Sequence, residues 1–459
     1  MSSLNKRTEL FENTPIKKAV LLQIMPAIAS QMIALIYNLA DTYFVGVIND
    51  PVQTAAITIV APCFVMLTAI SNLFGVGGAS AIARALGRKE QENARQISTV
   101  SFWCGLAMGI VFAIAFLALE RPILTLCGAK ADTIGVVTEY AKWVVVIGGP
   151  ATVLNTLLAN LVRAEGSARR AFVGVSLGGV LNIILDPFFV LPRFLGLGAA
   201  GAGIATAISN TVATVYFLGY VLLRRQDTVL SLAPRHLRHT RTHLGGILAI
   251  GFPSALQYAL TVVAVAAQAR FVSAYPTEAV AALGIVKKID QLPLYFSIGV
   301  ASGLLPLLAY NHAAGNTKRR SQAFRFGTLI AVGFSLICLV LFEIFAKQLV
   351  GLFIENSQTV TYGASFLRMM VTAMPMMSFC YPMIIQFQAM GKAKESLICS
   401  VLRKGVLDIP LLFIMDAVLP LYGCMLVQPM VDSISLIVAL VLYRKIKRKE
   451  VLIDNEKSL

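Results

Sequence analysis

Two aspartates, Asp41 and Asp186, stand inside long apolar stretches of the 459-residue sequence. A charge in such surroundings is expensive and by default marks a functional site. Asn182 precedes Asp186 by four residues, so on a helix both side chains share one face. Pro187 lacks an N–H and frees a backbone carbonyl one turn back. Thr206, in the next apolar stretch, adds a hydroxyl. Two carboxylates, an amide and a hydroxyl make an oxygen-rich set able to hold a proton or Na⁺, with Asp41 and Asp186 as the metal ligands if the ion is Na⁺. Carboxylates brought close cannot both stay ionised without a cation. Tyr37, one turn below Asp41, offers an aromatic face to an organic cation. Seven of the fifteen methionines fall between Met369 and Met390, and Met370, Met374 and Met377 form the expected adaptable surface for varied substrates.

The elements that position these groups follow from composition. The chain is 57% apolar and 14% charged, against about 25% charge in soluble domains. Residues 19–81 contain only two charges, Asp41 and Asp50, enough apolar length for two membrane spans. Breaks at charged and turn-rich segments predict twelve helices, at 17–47, 52–83, 96–119, 134–161, 169–192, 198–223, 244–271, 278–310, 322–346, 358–388, 394–416 and 419–443. No stretch has the strand period of a barrel, so the fold class is an all-α membrane bundle. Asp41 then lies roughly 33 Å along the first span and Asp186 roughly 24 Å along the fifth, which puts both in the same leaflet. The first apolar run is too long for a signal peptide and reads as an uncleaved span.

Lys and Arg are distributed unevenly. One side of the predicted membrane takes 28, from the N-terminal tail (with Lys6 and Arg7) to residues 444–457, and the other takes six. By the positive-inside rule both termini face the cytoplasm, in a bacterial cytoplasmic membrane. The net charge of +16 reflects this topology and the anionic lipid bilayer as partner, and argues against nucleic acid, because the basic residues sit in short loops between spans. The seven cysteines are scattered without a Cys-x-x-Cys, so no disulfide framework is expected. His236, His239 and His243 have zinc-like spacing, but interleaved arginines argue against a metal. The glycine-rich Phe74-Gly75-Val76-Gly77-Gly78 lacks a following Gly-Lys-Ser/Thr and reads as helix packing, not nucleotide binding.

The sequence also repeats itself. Pro26 matches Pro253, Ala55-Ala56 matches Ala281-Ala282, Gly75-Val76 matches Gly299-Val300 and Gly166 matches Gly391, at offsets of 224 to 227. Duplicated blocks of six spans have parallel orientation, with a substrate path between them. The expected division is a lobe at 1–225 and a lobe at 226–459, joined by a slack tether at 224–243. In the second lobe, Lys404 and Asp408 are spaced to pair along a helix, whereas Lys287, Lys288, Asp290, Arg368 and Arg403 have no evident role.

These motifs carry a resemblance. The stretch from Pro26 through Asp41-Thr42-Tyr43-Phe44-Val45-Gly46, Arg84-Ala85-Leu86-Gly87, Arg163-Ala164-Glu165-Gly166 and Leu181-Asn182-Ile183-Ile184-Leu185-Asp186-Pro187 resemble the multidrug and toxic compound extrusion (MATE) family, of the DinF/MepA-like bacterial type. Gln388-Ala389-Met390-Gly391 and Asp408-Ile409-Pro410 echo them in the second half. The resemblance implies two parallel six-helix repeats, a central cavity and cation-coupled efflux. It implies an ion site of Asp41, Asn182, Asp186 and Thr206, with Asn155 a weaker match. Second-half acidic residues of NorM-like members are missing here, since Gln268 stands at the counterpart of Asp41. A monomeric antiporter of amphipathic, often cationic, drug-like compounds is therefore expected, with H⁺ or Na⁺ as coupling ion and no other cofactor. The alternatives are a lipid-linked oligosaccharide flippase and, more remotely, an intramembrane enzyme, which the lack of histidines inside apolar runs disfavours.

Overall fold

The computed structural model describes residues 9–456, without the side chains of 449 and 451–456; Lys6, Arg7 and Lys457 of the basic tails lie outside the described residues. Among the described residues the structure is helical apart from the connections. Along it run α1 (Ile16–Val47), α2 (Pro51–Gly87) and α3 (Gln91–Ala118), then α4, a span bent by 46° between Ile134–Ile147 and Gly149–Ala164. Next come α5 (Ala168–Val190) and α6 (Gly198–Leu223). The second half repeats the series with α7 (Thr240–Val272), α8 (Thr277–Ala313), α9 (Thr317–Ile344) and α10, bent by 43° between Ser357–Val371 and Met374–Ala389. The last two are α11 (Ala393–Val401, a π-helical turn at Leu402–Val406, then Asp408–Val418) and α12 (Gly423–Glu456).

Among the described residues, nine helices are continuous and apolar enough to cross a membrane, and the two bent pairs make eleven. The twelfth crossing is α11, which the π-turn divides into pieces too short to count alone. Large apolar side chains such as Val111, Ile114, Leu329 and Phe413 face outward, as they must toward lipid.

Contacts between the halves are concentrated at one end. The residues nearest the termini and Lys/Arg-rich loops define a basic end; the opposite end is the far end. One hydrophobic core at the basic end joins both halves, from Ile24 and Ile82 to Leu304 and Phe387. Toward the far end the core divides: Val45, Val60 and Val144 belong to the first half alone, Val286, Met370 and Leu412 to the second. The bundle is therefore a V, closed at the basic end. Lipid supplies no hydrophobic drive for helix association, so close backbone packing must hold the closed end. A Cβ at Gly251 of α7 would run into the Leu73 carbonyl of α2, and one at Gly303 of α8 into the backbone of Gln23 and Ile24 of α1.

The connector between the halves is bound, not slack. Glu165 accepts hydrogen bonds from Thr228 Oγ1 at 2.6 Å, from the Val229 amide at 3.2 Å and from the Tyr220 hydroxyl. Ser231 bonds to Ser98 and Thr99, and the Trp103 indole donates to the Leu232 carbonyl. Buried Val229 and Leu230 explain the docking, because a tether with two apolar residues in sequence has something to bury. The three connector histidines have different polar partners: His236 approaches Glu92 at 3.5 Å, His239 accepts from Arg238 and His243 meets Gln96, with the His239 and His243 ring centroids 6.4 Å apart. At the other side of the basic end, Phe11 stacks on Tyr310 of α8, whose hydroxyl donates to Glu12.

Candidate functional site

Helices α1 and α5 approach closely at Gly179, where a Cβ would press into Ile33 and approach Tyr37 of α1. That contact brings Asp41 within interaction range of Asp186, Asn182 and Thr206, so three helices converge on one point. Asp186 is fully buried, Asn182 and Thr206 nearly so, and Asp41 is 8% exposed. The Asn182 amide donates at 3.4 Å to both Asp186 Oδ1 and Thr206 Oγ1. Asp41 Oδ1, Asn182 Oδ1 and Asp186 Oδ2 are buried without a hydrogen-bond partner. Orphaned buried acceptors on adjacent residues are costly, and a proton or a hard monovalent cation is what such an all-oxygen set would bind. Among the described residues no group of three or more His, Cys, Asp or Glu is placed to hold a metal ion.

The structure brings these four residues together and places Asn155 outside them. Its amide donates to Asn210 Oδ1 at 2.8 Å, and the Asn210 amide donates to the Thr206 carbonyl. Asn155 thus supports α6 and acts on the set at one remove. Asn210 itself, four residues after Thr206, is legible as a same-face polar residue in hindsight. Tyr140, in electrostatic range of both aspartates, is not legible: it precedes the π-helical turn Lys142–Ile147, which shifts helical register.

Tyr37 is half-buried and close to Asp41 as expected, and it belongs to a larger feature. Tyr37 neighbours Tyr295 of α8, and Tyr295 and Tyr258 of α7 neighbour Tyr381 of α10. Four partly exposed tyrosines from both halves thus gather where the V closes. The methionines are a correction. Met370, Met374 and Met377 are 2%, 1% and 5% exposed, and the first two are packed in the far-end core of the second half. An apolar helix buried on that face needs no other reason for its thioethers, and they offer no open surface to a substrate.

A second polar region lies in the other half. Lys404 and Asp408 do not pair: the π-turn throws Lys404 out of helical geometry (φ −134°, ψ 22°), which destroys the four-residue register. Lys404 Nζ instead donates to Gln428 Oε1 at 2.7 Å. Arg403 pairs with fully buried Asp432 at 2.7 Å and lies over the Tyr381 ring at 4.3 Å. Arg368 approaches Glu343 at 3.6 Å in a half-exposed contact, and Lys288 is exposed.

Comparison with known proteins gives these features a context. The MatE family model matches residues 26–188 and again residues 253–414, more than half the chain. The multidrug export protein MepA of Staphylococcus saprophyticus is 29% identical over 90% of both chains, and MepA of Staphylococcus aureus 28% identical over 94% of both. Among solved structures, the outward-facing conformation of a multidrug resistance MATE family transporter superposes with a TM-score of 0.89 at 27% identity, covering 96% of this chain and 97% of the other. A MOP superfamily transporter from Pyrococcus furiosus gives 0.89 at 26% identity over 96% and 97%. Two matches of one model, offset by 227 residues at their starts and 226 at their ends, account for the internal repeat. With the helical bundle, the repeat and the family model in agreement, this polytopic chain, a transporter and not an enzyme, belongs to the MatE family.

Proposed function

We propose that the protein is a secondary multidrug exporter of the cytoplasmic membrane. The observation that carries the reading is the enclosed carboxylate pair, Asp41 and Asp186, with orphaned oxygens on the pair and on Asn182. Such a pair takes up one H⁺ or Na⁺, and an ion shifts a transporter between two states only if it binds them unequally. The basic end is cytoplasmic and the V opens outward, so the coupling ion enters from outside. Its binding favours reopening toward the cytoplasm after the drug has left. The far-end cleft and the tyrosines at its base suit amphipathic, often cationic compounds. MepA, the multidrug export protein of two staphylococci, supports the substrate class. Both halves of the cleft belong to one chain, and the protein acts as a monomer.

One charge crossing about 100 mV contributes about 2.3 kcal/mol, and tenfold accumulation costs about 1.4 kcal/mol, so one uncompensated cation supports a roughly fortyfold gradient. The test is counterflow in proteoliposomes with pH and Na⁺ varied separately. Export driven by at least one of the two gradients is expected; export indifferent to both contradicts ion coupling.

A further inference from the structure

The basic end of the V carries a fastening between the halves that the mechanism above does not use. Helix α1 is shared between them. Toward the far end its Ile33 and Tyr37 meet Gly179 of α5, whereas toward the basic end Ile24 and Ile28 fit against Gly303 and Gly299 of α8. A Cβ at either of these last two glycines would press into the α1 backbone, so the two helices touch main chain to main chain. Gln23, beside Ile24 in this seam, is fully buried, and neither polar atom of its side-chain amide has a hydrogen-bond partner. Such a group disfavours closure, because water reaching an open seam would satisfy it.

Before the seam begins, residues 9–14 cross onto the second half. Phe11 is 1% exposed and stacks on Tyr310 of α8 with ring centroids 5.0 Å apart, and the Tyr310 hydroxyl donates to Glu12 at 2.7 Å. The Asn311 amide donates to the Phe11 carbonyl at 3.4 Å. Arg319, at the start of α9, donates from Nε to the same carbonyl at 2.7 Å and from Nη2 to the carbonyls of Leu10 and Thr14. A guanidinium suits this task, because its donors form a rigid fork that can hold several oxygens at once. Only Pro15 lies between Thr14 and the first residue of α1, so the fastening has no slack. The connector repeats the arrangement: residues 228–232 precede α7 as 9–14 precede α1, and they are held by Ser98, Thr99 and Trp103 of α3. Each half is thus entered through a segment held by the other.

We propose that residues 9–14 form a releasable latch, which holds the basic end closed while the far end is open and lets go of α8 and α9 when the basic end opens. The inference rests on the exporter reading, since only a protein that alternates between two states needs such a release. In that cycle the latch offsets what buried Gln23 costs, and its strength sets how the two states are populated.

Two measurements test it. In nanodiscs, spin labels at exposed Gln91 of α3 and Lys394 of α11 report the width of the basic end. Phe11→Ala combined with Arg319→Gln should raise the ratio of long to short distances about tenfold over the wild type, as expected when several closed-state bonds are lost together. An unchanged distribution overturns the latch. The second measurement closes the latch covalently: Phe11→Cys and Tyr310→Cys are joined by a short, reducible bis-methanethiosulfonate, and ethidium counterflow is followed in proteoliposomes, with the wild type given the same reagent as control. Joining should abolish counterflow, and reduction should restore it. A joined protein that moves ethidium as fast as the reduced one overturns the release, and this measurement decides alone if the first variant does not reach the membrane. A reduced protein that moves no ethidium contradicts the exporter reading instead, and the distances then judge the latch.

Discussion

Asp41, Asn182 and Asp186 in the first half have Gln268, Asp408 and Leu412 as counterparts in the second, at the offsets of the two family matches, 227 near their starts and 226 near their ends. On one side of the repeat a continuous α5 carries Asn182 and Asp186 on one face, buried and turned toward Asp41. On the other, α11 is broken at Leu402–Val406, and the break turns Lys404 toward Gln428. The duplicated frame has therefore kept its helices and changed its charges. A helix that stays regular can concentrate like charges for a cation to neutralise, whereas one that loses register turns its lysine to a glutamine of the next helix. This contrast is the reason the proposed function rests ion coupling on the first half.

The largest effect expected from this contrast is in the first half. Asp41→Asn and Asp186→Asn should each abolish ion-driven export while the protein remains in the membrane, read by counterflow alongside immunodetection. Wild-type export in the double variant would remove the basis of the assignment. The second-half ion pair is structural by contrast. Arg403→Met leaves fully buried Asp432 uncompensated and should cost about 3–5 kcal/mol, read by thermal unfolding in detergent, with much of it recovered when Asp432→Leu is added.

The closed end of the V gives a smaller effect that concerns both halves. Gly251→Val forces a side chain into the Leu73 backbone and should destabilise that contact by about 1–3 kcal/mol, shifting the population away from the state described here. Cysteine cross-linking across α2 and α7 at the basic end would record it as a lower yield. Neutralising Asp290 or Asp408 should slow export without uncoupling it; a loss of ion dependence in either variant, with Asp41→Asn still coupled, would reverse the assignment of the halves. The smallest effect is expected for Asn155→Ala, which removes one hydrogen bond of the relay through Asn210. A loss of about 1 kcal/mol, or roughly fivefold in ion affinity, is the scale of such a bond.

How much of this was legible depended on whether a feature obeys helical periodicity. The spans followed from apolar length, and the repeat from matched prolines and glycines at a nearly constant offset. Asp41 and Asp186 could be related by counting along two regular helices, and Asn182 by its four-residue spacing. Where a helix departs from that period the same counting failed. It paired Lys404 with Asp408 across a π-turn, and it missed Tyr140 beside another. Tertiary packing hid the rest: apolar methionines can line a cleft or fill a core, and Met370 and Met374 fill a core. The connector's attachment to Glu165 joins residues some 60 positions apart, which no local pattern encodes.

The division of labour between the halves is tested most directly by the distance between them. Thr58 near the far end of α2 and Ala281 near the far end of α8 are both exposed, so spin labels there leave the cores intact. Double electron–electron resonance in nanodiscs should show that distance shorten when H⁺ or Na⁺ is raised in the wild type. In Asp41→Asn plus Asp186→Asn the distribution should stop responding, while Lys287→Gln plus Lys404→Gln should respond as the wild type does. A response that persists without the two carboxylates, or that vanishes with the two lysines, would contradict coupling through the first half.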